Sequence, residues 1–211
     1  MPKSTEMLLR NAPATLQLVL IDPKRSAFNG LEGSHHLYRG WEVLHPLDRS
    51  MEEVLDELIA EMDRRNLLFK EKGADDLAAF VTKTGKPLAR IVVLCDEYFD
   101  LIADKKTRRE VEMRVARLAS KGRSSGIHLI LATQFPKADV VTSVLKANLQ
   151  GRVCLRMTDG SQSQVMLGQY GAEQLLGKGD LLFQDIGEPK RLQAAYLLEE
   201  ERRRLFSTGE Y

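Results

Sequence analysis

Ile91-Val92-Val93-Leu94-Cys95-Asp96-Glu97 constrains this chain more than any other stretch. Four apolar residues, three of them β-branched, run into a cysteine and then into two adjacent carboxylates. A short apolar run without polar alternation reads as a strand buried in a parallel sheet. Two acids at the end of such a strand lose hydration, which is costly unless a cation or a catalytic task waits there. The bland alternative is a strand that simply runs out into solvent.

The 211 residues suffice for one α/β domain with a real core. A hydrophobic content of 43% and a charged content of 29% are those of a globular protein. Lys and Arg total 31 against 30 Asp and Glu, a formal net charge of +1, so any contact with nucleic acid must come from a local cluster. Cys95 and Cys154 sit in apolar, strand-like segments without metal spacing, which fits a reducing, cytoplasmic setting. No apolar run approaches the ~18 residues of a membrane span, and the first residues lack the apolar core of a signal peptide.

Strand and helix signals alternate along the chain. Leu16 to Ile21 reads as a strand ending at Asp22-Pro23-Lys24, followed by a loop-like stretch from Ser26 to Pro46. Ser50 with Glu53 forms a capping-box pattern. Met51, Val54, Leu55, Leu58, Ile59 and Met62 then mark one face of a helix that Gly73 ends. A short helix is expected over Asp75 to Val81, a turn over Lys83 to Pro87, and a helix over Thr107 to Lys121 with Val111, Val115 and Leu118 inward. Ile127 to Ala132 is another buried strand, ending at Thr133-Gln134, and Gly151 to Met157 is strand-like. Short helical pieces follow from Ser163 to Leu176, then late strands at Asp180 to Phe183 and Leu192 to Tyr196. The alternation predicts a parallel sheet with helices on both faces. Ligands of such sheets sit beyond the carboxyl ends of the strands, where Asp22, Asp96, Glu97, Thr133 and Gln134 all fall.

The succession LVLIDPK, EMDRR, IVVLCDE, KGRSSGIHLILATQFP, VLKANLQGRV and GAEQLLGKGDLL strongly resembles the motor domain of the FtsK/SpoIIIE family of DNA translocases, over roughly Leu8 to Leu197. The resemblance implies a RecA-like P-loop NTPase, a hexameric ring, and ATP-driven movement of double-stranded DNA. It makes Asp96 the carboxylate that helps hold Mg²⁺ on the nucleotide and Glu97 the base that activates water. Gln134, beside Thr133, takes the sensor position at the next strand end; its alternative is an ordinary strand-end amide. Asp22 and Lys24 match the family's IDPK, and Asp22 is either catalytic or structural. Arg123 matches a basic residue near nucleotide and is either an arginine finger or a solvated helix-terminal cation.

The sequence departs from the family at three places. No GxxxxGK[ST] phosphate loop is present. Lys3-Ser4-Thr5 echoes the end of that motif, but Pro2 stands before Lys3 and has no N–H to offer a phosphate. Phe135 stands where the family reads Arg in ATQRP, and Gln164 where it often has Arg after Ser. The adjacent pair His35-His36 reads as packing rather than as metal ligands. Lys105, Lys106, Arg108 and Arg109 are candidates for DNA phosphates or for solvated surface, and Arg202 to Arg204 read as a solvated face.

The expectation is therefore a motor core over residues 16–197, preceded by a phosphate-loop remnant over 1–15 and followed by a charged helical tail over 198–211. Two rival roles stay open: a non-hydrolysing DNA-binding or structural ring subunit, and a protein-secretion ATPase of the same superfamily.

Overall fold

The computed structural model describes residues 10–196 and 198. Lys3, Ser4, Thr5 and the tail beyond Leu198 lie outside the described residues. The first strand, β1 (Leu16–Ile21), leads through an irregular stretch to helix α1 (Met51–Glu71) and a short helix α2 (Leu77–Thr84). Then come β2 (Arg90–Cys95), one helical turn α3 (Tyr98–Leu101), helix α4 (Arg108–Lys121) and β3 (Ile127–Leu131). The remainder holds α5 (Ser143–Asn148), β4 (Arg152–Cys154), α6 (Gly160–Leu167), β5 (Asp180–Gln184) and β6 (Lys190–Gln193).

The three apolar runs singled out in the sequence form one parallel sheet in the order β1-β2-β3. Its register sets Ile21 beside Cys95 and Cys95 beside Leu131, so all three strands finish at one level. On one face, Val19, Ile21, Ile91, Val93, Cys95 and Ile127 pack against α1 and α4. Each large aliphatic side chain buried this way contributes ~1.5–3 kcal/mol. The stripe of α1 is buried as the helical period predicts, with Val54, Leu58 and Met62 fully enclosed, and Val111, Val115 and Leu118 of α4 also point inward. Arg114–Asp56 and Arg117–Asp63 bridge the two helices on their solvent side.

The second face departs from the sequence expectation. Leu16, Leu18, Leu20 and Val92 are covered by Phe28, Leu31 and Leu37 of the irregular stretch, not by a helix. The same stretch closes the outer edge of β1: Leu18 N–H donates to His36 O at 2.7 Å, and Leu44 N–H donates to Leu20 O at 2.8 Å. A loop can do this because its backbone groups find partners in the strand edge. His36 belongs to this packing, with Nδ1 3.1 Å from Leu16 O.

Local signals fared unevenly. Helix α1 ends as Gly73 predicts: φ is +62°, Gly73 N–H donates to Lys70 O, and Ala74 N–H donates to Phe69 O. The capping box does not form, because the Ser50 hydroxyl donates to Glu52 at 2.9 Å instead of accepting from the helix. Helix α2 starts two residues later than expected, capped by Asp76, and ends at left-handed Gly85 within the expected turn. The strand expected over Gly151 to Met157 shrinks to β4, and the last strand lies earlier, at Lys190–Gln193. These late strands form a separate antiparallel sheet, β4-β5-β6, rather than extending the parallel one. Cys154 and Leu182 of that sheet pack on Leu167, Ala172 and Leu175.

Candidate functional site

The carboxyl ends of β1, β2 and β3 converge on Glu97. Its side chain has 0% exposure, yet it carries a carboxylate. The strand order explains how this is tolerated: β2 is central, so Glu97 is reached from both neighbours. From the β3 side, Gln134 N–H donates to Glu97 Oε1 at 3.3 Å and to Oε2 at 3.1 Å. From the β1 side, Lys24 Nζ stands 3.4 Å from Oε2. A buried charge persists only with such partners.

Asp96, half-buried, begins the turn out of β2, and its N–H donates to Ile21 O at 3.1 Å. Burial raises its carboxyl above the ordinary range, and the nearby Asp22 and Glu97 carboxylates raise it further, while the Lys24 ammonium pulls it down. Burial and the two neighbouring acids outweigh Lys24 at Asp96, a setting that a further cation would relieve. Among the described residues no cluster of three or more His, Cys, Asp and Glu side chains is arranged to hold a metal by itself. Mg²⁺ takes one or two carboxylates and otherwise phosphate and water oxygens, and Asp96 is a residue that could supply one.

The other residues singled out in the sequence divide clearly. Asp22 is buried, and both its oxygens serve the backbone: Oδ1 accepts from Lys24 N–H at 3.1 Å and Oδ2 from Ala27 N–H at 2.7 Å. It therefore shapes the turn that delivers Lys24. Thr133 Oγ1 accepts from Phe135 N–H at 3.1 Å, a turn that aims Gln134. Gln134 itself is exposed at the strand end. Arg123 is exposed and lies in the turn before β3, at the opposite end of that strand from Gln134. Five residues of strand at ~3.3 Å each separate the two, so Arg123 does not join the cluster within its own chain.

The departures from the family pattern have local roles. Phe135 packs on Phe99 with ring centroids 5.4 Å apart, and Gln164 Nε2 donates to Gly168 O at 2.9 Å, bracing the end of α6. Arg108 is committed to Glu112 and Asp139, whereas Lys105, Lys106 and Arg109 are exposed. Sequence reasoning assigned Lys24 no role. Besides its place in the IDPK match, the signal for one was a lysine three residues past a strand end, and its meaning depends on which strand lies alongside. A cleft of about 850 Å³ opens among Phe28, Asn29, His35 and Trp41, and it shares only Asp22 with this cluster. Since both Asp22 oxygens are spent on backbone, the cleft is separate from the chemistry.

The DNA translocase FtsK of Oceanobacillus iheyensis is 37% identical over 213 residues, covering 95% of this chain and 27% of that protein. The DNA translocase FtsK of Caldanaerobacter subterraneus is 38% identical over 198 residues, covering 92% of this chain and 27% of that protein. The chain thus spans about a quarter of the length of these curated relatives. Among solved structures, the pCW3 conjugation coupling protein TcpA with ATPγS matches at TM-score 0.73 and 26% identity, covering 90% of this chain and 55% of that one. The cytoplasmic domain of the Type VII secretion ATPase EccC from Thermomonospora curvata matches at TM-score 0.80 and 25% identity, covering 98% of this chain and 26% of that one. The α/β architecture is that of these ATPase motor domains. The FtsK/SpoIIIE family profile matches residues 5–138, more than half of the chain, and the protein belongs to the FtsK/SpoIIIE family.

Proposed function

We propose that residues 16–197 form the motor core of an ATP-driven double-stranded DNA translocase. The observation that carries this reading is the buried Glu97 carboxylate, fixed by Gln134 N–H where two neighbouring strands end. A carboxylate held in a fixed orientation at a strand end is suited to general-base work. Glu97 accepts a proton from water as the water oxygen attacks the γ-phosphorus, and the bond to the bridging oxygen of ADP breaks with its electron pair. Asp96 is the protein ligand for Mg²⁺, which, when bound, neutralises phosphate charge. Gln134, aimed by the Thr133 turn, is the sensor amide. Asp22 acts indirectly, by shaping the Lys24 turn.

Arg123 stands too far along β3 to serve its own chain's Glu97. In this reading it reaches the nucleotide of a neighbouring subunit in a hexameric ring, where an arginine finger contributes roughly 10³ to 10⁵ in rate. Lys105 and Lys106, exposed between α3 and α4, and Arg109, exposed in the first turn of α4, contact DNA phosphates. The phosphate cradle is assigned to no described residue, and Lys3-Ser4-Thr5 lies outside them.

Movement of protein is the second reading, favoured by the secretion-ATPase match at TM-score 0.80. The sequence relationship weighs toward DNA: identity is 37% to a DNA translocase and 25% to that secretion ATPase. Among the described residues no helix is long and apolar enough to cross a membrane. The test is ATP hydrolysis by the chain joined to a GxxxxGK[ST] strand and helix, with and without linear duplex DNA. Stimulation by duplex supports translocation along DNA. Hydrolysis indifferent to duplex contradicts it, and the absence of hydrolysis supports the non-hydrolysing alternative.

A further inference from the structure

Lys24 occupies an unusual position between solvent and a buried carboxylate. Its side chain is 37% exposed, whereas that of its partner Glu97 is 0% exposed. Its backbone is held from two directions. Its N–H donates to Asp22 Oδ1, and the carbonyl of the preceding Pro23 is 3.0 Å from His45 Nε2. Asp22 in turn receives Ala27 N–H and ties its own N–H to Leu44 O at 2.9 Å. The turn that presents the ammonium is therefore fixed, and the flexible butyl chain alone spans the distance to β2. The contact of 3.4 Å is longer than the ~2.7–2.9 Å of a tight charge-assisted bond. It has room to shorten or to be exchanged. The same ammonium also acts on Asp96.

We propose that Lys24 is a positioning residue for hydrolysis, holding the Glu97 carboxylate in the orientation that accepts from Gln134 N–H. The inference rests on the reading of Glu97 as the water-activating group. Three strand ends then share one carboxylate: β2 supplies it, β3 fixes it through a backbone amide, and β1 balances its charge through Lys24. With the ammonium removed, Glu97 keeps the Gln134 amide but no opposite charge, and it turns toward solvent to recover hydration, since an unbalanced buried charge is costly. Gln134 N–H is then without its acceptor. Arginine carries the same charge and restores the balance, although its planar fork does not match the ammonium in detail.

The test reads the Gln134 amide in the chain as it stands, without nucleotide, by nuclear magnetic resonance and amide hydrogen exchange. Glu97→Gln gives the reference for removal of the charge-assisted bond, with exchange of Gln134 faster by roughly tenfold or more. Lys24→Met is expected to accelerate that exchange by a similar factor and to displace the Gln134 resonance in the same direction. Lys24→Arg is expected to return both toward the parent values. A merely structural ion pair lowers the melting temperature in Lys24→Met but leaves the Gln134 amide in place, and that result overturns the inference. So does Lys24→Arg behaving like Lys24→Met. If Lys24→Met does not fold, Lys24→Gln, neutral but polar, gives the same comparison. These measurements read geometry, so an unmoved Gln134 amide defeats the role of Lys24 and leaves the assignment of Glu97 standing. Parent-rate hydrolysis by Glu97→Gln defeats that assignment and leaves the geometric role of Lys24 standing.

Discussion

The backbone N–H of Gln134 donates to both carboxylate oxygens of Glu97, at 3.3 and 3.1 Å. This links the end of β3 to the end of β2 through a side chain with no solvent exposure. The bond forms because β2 is central and its register brings Cys95 level with Leu131. Any event that moves Gln134 therefore moves the acceptor geometry of Glu97, which would couple the proposed sensor to the proposed base.

Asp96 is expected to be a stability liability in the absence of cations. Its carboxyl is raised by burial and then by Asp22 and Glu97, so its protonated form favours the fold. That contribution is present below the ordinary carboxylate range of ~4 and is lost as pH rises through the raised value. Asp96→Asn should melt higher than the parent at neutral pH, with the gap closing in acid. Thermal melts across pH check this, and a parent that matches or exceeds the variant at neutral pH contradicts it.

The opposite sign holds for Asp180. Its carboxyl is held down to about 2, chiefly by Arg191 and also by Leu176 N–H. The stabilisation is present above the unfolded value of ~3.9 and is lost as pH falls through about 2. The stability advantage of the parent over Asp180→Asn should therefore shrink steadily between about pH 5 and pH 2. An advantage that does not change with pH contradicts the ion pair.

Arg65 is 2% exposed and donates to Glu61 at 2.7 Å, to Ala89 O at 2.8 Å and to Ser125 O at 3.0 Å. It ties α1 to the segments entering β2 and β3. Arg65→Ala removes the donor to the Ala89 and Ser125 carbonyls, while Glu61 keeps Arg64 and Arg39, and should cost roughly 2–4 kcal/mol. Chemical denaturation measures it, and a loss below ~1 kcal/mol would show that the network is dispensable.

For DNA, the exposed Lys105, Lys106 and Arg109 should pair with phosphates. Changing all three to Gln should flatten the dependence of log affinity on log salt by roughly 0.9 for each phosphate no longer neutralised. Arg108, engaged with Glu112 and Asp139, should change the slope little. A triple variant with the parent slope removes this patch from the interface.

The strands and their polar ends were legible because apolar runs such as LQLVLI and IVVLC have few other outcomes in a chain of this size. The stripe of α1 was legible for the same reason. Lys24 was not, because its meaning depends on β1 lying beside β2, and strand order is not written in local pattern. The roles of Asp22 and Thr133 as turn-formers follow from side chains that bond backbone two or more residues on, a signal masked by their position just past strand ends, where ligand-binding residues are also expected. The loop that covers Leu16, Leu18 and Leu20 was missed because its apolar residues, Phe28, Leu31 and Leu37, follow neither helical nor strand spacing. The capping box at Ser50 failed because an acidic neighbour, Glu52, competes for the hydroxyl.

The most direct test of the account is Glu97→Gln in the chain joined to a GxxxxGK[ST] strand and helix, assayed for ATP hydrolysis with duplex DNA. The substitution keeps size and most hydrogen bonding but removes the proton acceptor. Turnover is predicted to fall by roughly 10²-fold or more, while affinity for a non-hydrolysable ATP analogue with Mg²⁺ stays near that of the parent. Hydrolysis at the parent rate would make Glu97 a buried structural acid and contradict the assignment.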